Sequence, residues 1–199
     1  MVEEFPIKDL DFIDNHQMQS ETGVPKDTLF KWMLQPSDNL FAESLLLMSS
    51  AAQRDTLSLE IGFEQAEAHQ AMVNSPLLNE KLIWVDGSGL SRYNMFKPSE
   101  IIGVLESLYD NSSEDRLFEL LPNGGVSGTI EDWYAGENGE PFVFAKTGTL
   151  SNNHTLSGYI KTKRGKTLIF SLMANHYTCS TSQIKENFEV ILNKIRNGY

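Results

Sequence analysis

The stretch Phe142-Val143-Phe144-Ala145-Lys146-Thr147-Gly148-Thr149 decides how this chain is read. Three bulky apolar residues demand burial and pin the segment to a core as a strand. The strand then ends in chemistry: a cation at Lys146 and hydroxyls at Thr147 and Thr149, with Gly148 between them. Gly148 has no Cβ, so a ligand or another backbone can approach that edge closely. A point charge beside two neutral donors suits a small carboxylate. Taken alone, the same residues also describe a strand running into a glycine turn with a solvated lysine. The rest of the chain has to decide between the two.

Downstream of Pro141 the pattern has a period of two. Phe142–Thr147, Thr155–Thr162 and Thr167–Asn175 read as three consecutive strands, the last two joined by a Lys163-Arg164-Gly165 turn. Phe170, Leu172 and Ala174 alternate with Ile169, Ser171 and Met173, which predicts cover on both faces of that strand. The chain closes on a helix with Ile184, Phe188, Ile191, Leu192 and Ile195 on one stripe. Upstream, residues 26–34 predict a short helix closed by Pro36. Leu40 to about Gln53 is apolar nearly all round and predicts a buried central helix. Glu60–Val73 and a helix opened by Pro98 follow, the latter with Ile101, Ile102, Leu105, Leu108 and Tyr109 at helical spacing. Lys81–Val85 reads as a short strand entering the turn Asp86-Gly87-Ser88-Gly89, and Glu114–Leu121 as a short helix. Residues 1–25 show no clear period beyond a short strand around Phe5–Ile7. Helices first, then an antiparallel meander, then a helix laid on the sheet gives an α+β fold.

The 199 residues suffice for one domain with a packed core. A net charge of −11 argues against a nucleic-acid backbone or an anionic membrane surface as partner. No apolar run is long enough for a transmembrane helix, and the first residues are no signal peptide. Cys179 is the single cysteine, which excludes an internal disulfide and a multi-cysteine metal site. His16, His69, His154 and His176 lack metal-ligand spacing, so neither a metal nor a cofactor is expected. Asp86 reads as a turn residue rather than a general acid.

A K-T-G strand gains meaning beside two companions, an S-x-x-K serine and an S-x-N loop, as in penicillin-binding proteins and class A β-lactamases. Ser37-Asp38-Asn39 supplies the second, 109 positions before Lys146. It also reads as a helix N-cap, and one segment can serve both ends. The longer segments Gln35-Pro36-Ser37-Asp38-Asn39-Leu40-Phe41-Ala42-Glu43, Asp86-Gly87-Ser88-Gly89-Leu90-Ser91-Arg92-Tyr93-Asn94 and Ala145-Lys146-Thr147-Gly148-Thr149 occur in that order. From about residue 25 onward the chain closely resembles the C-terminal part of the D-alanyl-D-alanine carboxypeptidase/endopeptidase family, of the penicillin-binding protein 4 type. The D-G-S-G-L-S-R segment is the most specific part of the match. The resemblance implies a β-lactamase/transpeptidase-like α+β fold, with residues 1–25 as an N-terminal segment and 26–199 as the C-terminal part of the domain.

The family's S-x-x-K serine lies far upstream of S-D-N, and no such motif precedes Ser37 here. The sole match, Ser182-Gln183-Ile184-Lys185, follows K-T-G and reads as a solvated helix face. The expectation is therefore a C-terminal portion of a larger exported enzyme, periplasmic or extracytoplasmic, and inactive alone. In the family's reaction a serine attacks the carbonyl of a D-Ala-D-Ala stem peptide of peptidoglycan, and water hydrolyses the acyl-enzyme. β-Lactams acylate the same serine. By resemblance, Ser37 relays a proton to the leaving amine, Asn39 binds the substrate amide, and Lys146, Thr147 and Thr149 receive the terminal carboxylate beside Gly148. The Thr149 N–H forms half of the oxyanion hole. Arg92 and Ser151 resemble positions lining the pocket for the stem-peptide side chain. Two other readings stand beside this one: a non-catalytic module that binds peptidoglycan peptides, and a β-lactamase-like hydrolase, which the D-G-S-G-L-S-R segment disfavours.

The resemblance also makes two spatial demands. Ser37 Oγ must approach the Lys146 ammonium to about 2.7–3.2 Å, or through one water, for proton relay. The strand Thr167–Asn175 should have an edge that either residues 1–15 or a second copy of the chain covers.

Overall fold

The computed structural model describes residues 23–54, 56–72 and 82–199, without the side chains of 53, 67 and 69–72. Residues 1–22 lie outside it, and so do the expected strand at Phe5–Ile7, His16 and the His69 side chain. At its centre is an antiparallel sheet of β1 (Val143–Leu150), β2 (Asn153–Lys161) and β3 (Thr167–Asn175), in that spatial order. Each strand is joined to the next by a tight turn, so the register follows from loop length. Lys146 faces Ser157, Gly148 faces Thr155 and Thr149 faces His154.

Alternation along the strands sends side chains to two cores. Val143, Ala145, Leu156, Ile160 and Phe170 pack with Phe188 and Leu192 of α6 (Thr181–Gly198). Phe144 and Tyr159 pack on the other face with Leu105 of α4 (Pro98–Asn111) and Leu117 and Phe118 of α5 (Glu114–Leu120). Phe118 stacks on Phe144 with ring centroids 3.8 Å apart, and Tyr159 donates its hydroxyl to Leu105 O at 2.7 Å. Ile169 joins this second core while Phe170 joins the first, as the alternation in β3 predicts. The capping of α4 is supplied by Glu100, whose buried carboxylate accepts from Lys97 N at 2.7 Å.

Three further helices carry the chain past this sheet: α1 (Lys26–Leu34), α2 (Asn39–Arg54) and α3 (Leu59–Met72). The expectation of a buried α2 is overturned. Among its described side chains only Leu46 and Ser50 are buried, while Leu40 is 75% exposed and Met48 60% exposed. Its neighbours among the described residues are α1 and α3 rather than the sheet, so an all-round apolar sequence meets partners on limited faces. The expected strand Lys81–Val85 is also corrected. Ile83 makes one isolated bridge to Met95, which closes the Asp86–Asn94 loop without forming a strand, and Lys81 lies outside the described residues. Ile191, placed on the buried stripe of α6, is 41% exposed, because the helix turns only Phe188 and Leu192 fully onto the sheet. No described helix is long and apolar enough to cross a membrane.

Candidate active site

Pro36 cannot extend α1, and the chain reverses at Ser37, which has φ +62°. Left-handed backbone is uncommon for a residue with a Cβ. The reversal lets Asp38 take the capping role. Its Oδ1 accepts from Phe41 N at 2.9 Å, and Asp38 N donates back to Met33 O at 2.9 Å. The cap of α2 is thus Asp38, and the Ser37 hydroxyl is released toward the sheet.

There it meets the strand. Lys146 Nζ donates to Ser37 Oγ at 2.6 Å and to Thr147 O at 2.9 Å. Two groups 109 positions apart in the chain are therefore in direct contact. Burial alone lowers the Lys146 pKa to about 8, and no described carboxylate offsets it. A lysine poised there can give or take a proton near neutrality.

Two residues that the motifs do not single out hold this contact together. Gln35 Nε2 donates to Leu121 O at 2.6 Å, and Gln35 O accepts from Thr129 N at 3.2 Å. Thr129 Oγ1 in turn accepts from Thr147 Oγ1 at 2.8 Å. Thr129 thus ties the serine loop to the K-T-G strand. The neighbouring Gly128 has φ +67°, and a Cβ there would stand 2.6 Å from Gln35 Oε1 and 2.9 Å from Pro122 Cβ. Nothing short-range marks these bonds in sequence, because they join loops across the fold.

The edge of β1 divides in two. Val143 O accepts from Gly124 N at 2.9 Å, and Ala145 N donates to Pro122 O at 3.0 Å. By strand alternation Thr147 and Thr149 direct their N–H and C=O groups to the same side. Beyond Ala145 no described strand pairs with that side. The open edge begins where Lys146 reaches Ser37.

Apart from Thr147, the other expected site residues make no hydrogen bond to the Ser37–Lys146 pair among the described residues. Asn39 is the first residue of α2 and exposed, with no hydrogen bond to Lys146 among the described residues. Gly148 and Thr149 are exposed on β1, and Thr149 Oγ1 lies 2.8 Å from His154 Nδ1. Ser151 is exposed in the β1–β2 turn, and Arg92 is exposed in the Asp86–Asn94 loop. That loop docks on α2 through Glu43 Oε1, which accepts from Gly87 N and Ser88 N, both at 3.1 Å. Asp86 anchors it internally, accepting from Asn94 Nδ2 at 3.1 Å and from Gly89 N and Ser91 N. Burial raises the Asp86 pKa, but these hydrogen bonds outweigh it and hold the carboxylate below its usual range. Asp86 is a turn residue, as expected. Ser182 and Lys185 sit at the start of α6, which packs on the Ala145 face of the sheet. Lys146 projects from the Phe144 face. Among the described residues no group of three His, Cys, Asp or Glu side chains could hold a metal ion.

A half-buried lysine on an antiparallel sheet edge, bonded to a serine on a helix-opening loop, fits a transpeptidase-like fold. The chain belongs to the D-Ala-D-Ala carboxypeptidase 3 (S13) family, whose model matches residues 7–195. It is 30% identical over 179 residues to a D-alanyl-D-alanine carboxypeptidase of Haemophilus influenzae, covering 88% of this chain and 37% of the relative. A penicillin-sensitive carboxypeptidase of Dictyostelium discoideum is 27% identical over 175 residues, covering 82% and 33% respectively. The chain thus spans about a third of the length of these relatives. Among solved structures it resembles penicillin binding protein 4 from H. influenzae complexed with a β-lactam. There the TM-score is 0.75 and the identity 26%, over 85% of this chain and 41% of that one. A predatory endopeptidase from Bdellovibrio bacteriovorus, solved with an immunity protein, shares the fold at a TM-score of 0.67. It is 21% identical, over 92% of this chain and 49% of that one.

Proposed function

We propose that residues 26–199 are the C-terminal part of the transpeptidase-like domain of a serine-type D-Ala-D-Ala carboxypeptidase or endopeptidase, with residues 1–25 as an N-terminal segment. It acts outside the cytoplasm on peptidoglycan stem peptides, and β-lactams compete for the same cleft. The S-x-x-K serine comes from a segment not among these 199 residues, and the chain alone is inactive. The observation that carries this reading is the 2.6 Å contact between Lys146 Nζ and Ser37 Oγ. Because Lys146 donates to Ser37 Oγ, the hydroxyl proton is free to point into the cleft. When the scissile C–N bond breaks, the amine nitrogen takes that proton and Ser37 Oγ recovers one from Lys146. A lysine of pKa about 8 gives up a proton far more readily than a solvated one.

The terminal carboxylate of the peptide is received by the Thr149 hydroxyl, by the Thr147 hydroxyl once its proton turns from Thr129 Oγ1 to the ligand, and by the positive potential of Lys146. The peptide itself lies along the open edge of β1, pairing with the outward backbone groups of Thr147 and Thr149, and the Thr149 N–H serves the oxyanion. Exposed Asn39 reaches the substrate amide from the other wall. Arg92 and Ser151 line the stem-peptide side-chain pocket. The edge of β3, which has no neighbouring strand among the described residues, is covered by residues 1–15 or by a second copy of the chain. The activity is tested by incubating the 199-residue chain with a labelled penicillin and weighing the intact protein. The expected result is no covalent adduct; a stable acyl adduct, on Ser182 above all, overturns the missing-serine reading.

A further inference from the structure

His154 is the one wholly buried histidine among the described residues, and its side chain lies on the α6 face of the sheet, opposite the face from which Lys146 projects. It pairs across the sheet with Thr149, and its Nδ1 lies 2.8 Å from Thr149 Oγ1. Its ring stacks on Phe188 of α6, with centroids 5.8 Å apart. Its other nitrogen, Nε2, is buried with no hydrogen-bond partner. The ring is neutral at physiological pH, since burial and then the charge of Lys185 lower its pKa to about 4. A neutral imidazole carries one proton, so the question is which nitrogen holds it.

The two tautomers leave different orphans. With the proton on Nε2, Thr149 donates to Nδ1 and an N–H is buried without an acceptor. With the proton on Nδ1, only a lone pair goes unpaired. Orphaned buried N–H groups are the rarer of the two in folded proteins. The Lys185 ammonium, held over the Trp133 ring 4.9 Å from its centroid, adds to the burial that keeps the ring neutral.

We infer that His154 donates its Nδ1 proton to Thr149 Oγ1, so that the Thr149 hydroxyl keeps its own proton free for an acceptor other than His154. A threonine hydroxyl has one donor and two lone pairs. Once one lone pair is taken by His154, the proton is left for a ligand at this exposed position. His154 is then a positioning residue that makes Thr149 a donor, the polarity a carboxylate ligand requires. The opposite tautomer would turn a lone pair toward that carboxylate. The carboxylate part of this inference rests on the function proposed above, whereas the tautomer stands on the fold alone.

The test uses the ¹⁵N-labelled 199-residue chain and a long-range ¹H–¹⁵N spectrum of its imidazoles, with His154 assigned by His154→Phe. The expected result at neutral pH is a proton on Nδ1, with protonation moving toward Nε2 in Thr149→Val, where the acceptor is gone. A proton on Nε2 in the unmodified chain overturns the inference. A second arm titrates N-acetyl-D-Ala-D-Ala. His154→Phe should weaken binding about tenfold, and His154→Asn, which offers an amide N–H at the Nδ1 position, should restore most of it. Equal loss in both variants overturns the positioning role. If the unmodified chain does not bind the dipeptide, the carboxylate reading fails, and the nitrogen spectrum still decides the tautomer.

Discussion

Ser37 has two demands on it that a single side chain meets only under strain. It must reverse the chain in left-handed backbone and also present a hydroxyl to Lys146. Glycine would satisfy the first demand alone. Ser37→Gly and Ser37→Ala both remove the hydroxyl, but only alanine keeps the unfavourable φ. In urea unfolding Ser37→Gly should therefore be the more stable of the two by about 1 kcal/mol; equal stabilities would mean the turn carries no strain. Lys146 is the complementary case. Its folded pKa of about 8 lies below the unperturbed 10.5, so the folded state disfavours the charged form. This penalty is full below pH 8, fades between pH 8 and 10.5, and is gone above. Its upper size is about 3 kcal/mol. Lys146→Met removes this pH-dependent penalty together with two hydrogen bonds to a charged group, each worth about 1.5–3 kcal/mol. Relative to the unmodified chain the variant should therefore be most favourable below pH 8 and lose up to about 3 kcal/mol by pH 10.5, measured by urea unfolding; a stability difference independent of pH would mean the lysine is not buried as a charge.

The elements that bring these residues together differ in how much they wrote into the sequence. The strands could be read because each alternates against two cores, and the turns at Ser151-Asn152 and Arg164-Gly165 leave no other register. The Ser37–Lys146 contact was legible from motif spacing and resemblance, not from any local pattern. The exposure of α2 was not legible, since an apolar helix reports what it can bury and not what it is packed against. The Gln35–Thr129–Thr147 bracket was invisible for a different reason: two of its three links use backbone groups, which every residue has. Gly128 is its one sequence trace. A Cβ there would collide with Gln35 and Pro122 in a backbone conformation already unfavourable to alanine. Gly128→Ala should cost about 2–3 kcal/mol. It should also raise the Lys146 pKa, measured by NMR titration, as the serine loop is pushed off the strand and water enters. Gly165 has a similar φ of +76°, but a methyl group there would meet nothing within 4 Å. Gly165→Ala should therefore cost only about 1 kcal/mol and leave Lys146 unmoved. Equal effects on Lys146 would refute the bracket.

Across the whole molecule, the sheet leaves β3 at its edge, with no strand beside it among the described residues. From Thr167 to Asn175 it carries neither charge nor proline, the usual means by which an edge is blunted. Residues 1–15, one expected cover, lie outside the described residues, and the other cover is a second copy. An antiparallel β3–β3 pairing would join two three-stranded sheets about a two-fold axis. The net charge of −11 opposes it, and the range of that repulsion is set by salt, about 10 Å at 0.1 M. Backbone hydrogen bonds across the edge are far less sensitive to salt. Self-association should therefore strengthen as salt rises, the reverse of an interface held by ion pairs. Light scattering is expected to show a monomer at low salt moving toward a dimer at high salt and high protein concentration. Met173→Lys places a charge on the pairing edge and should hold the chain monomeric throughout. A monomer at every salt concentration, or a dimer indifferent to Met173→Lys, would mean that the β3 edge is not where two copies meet.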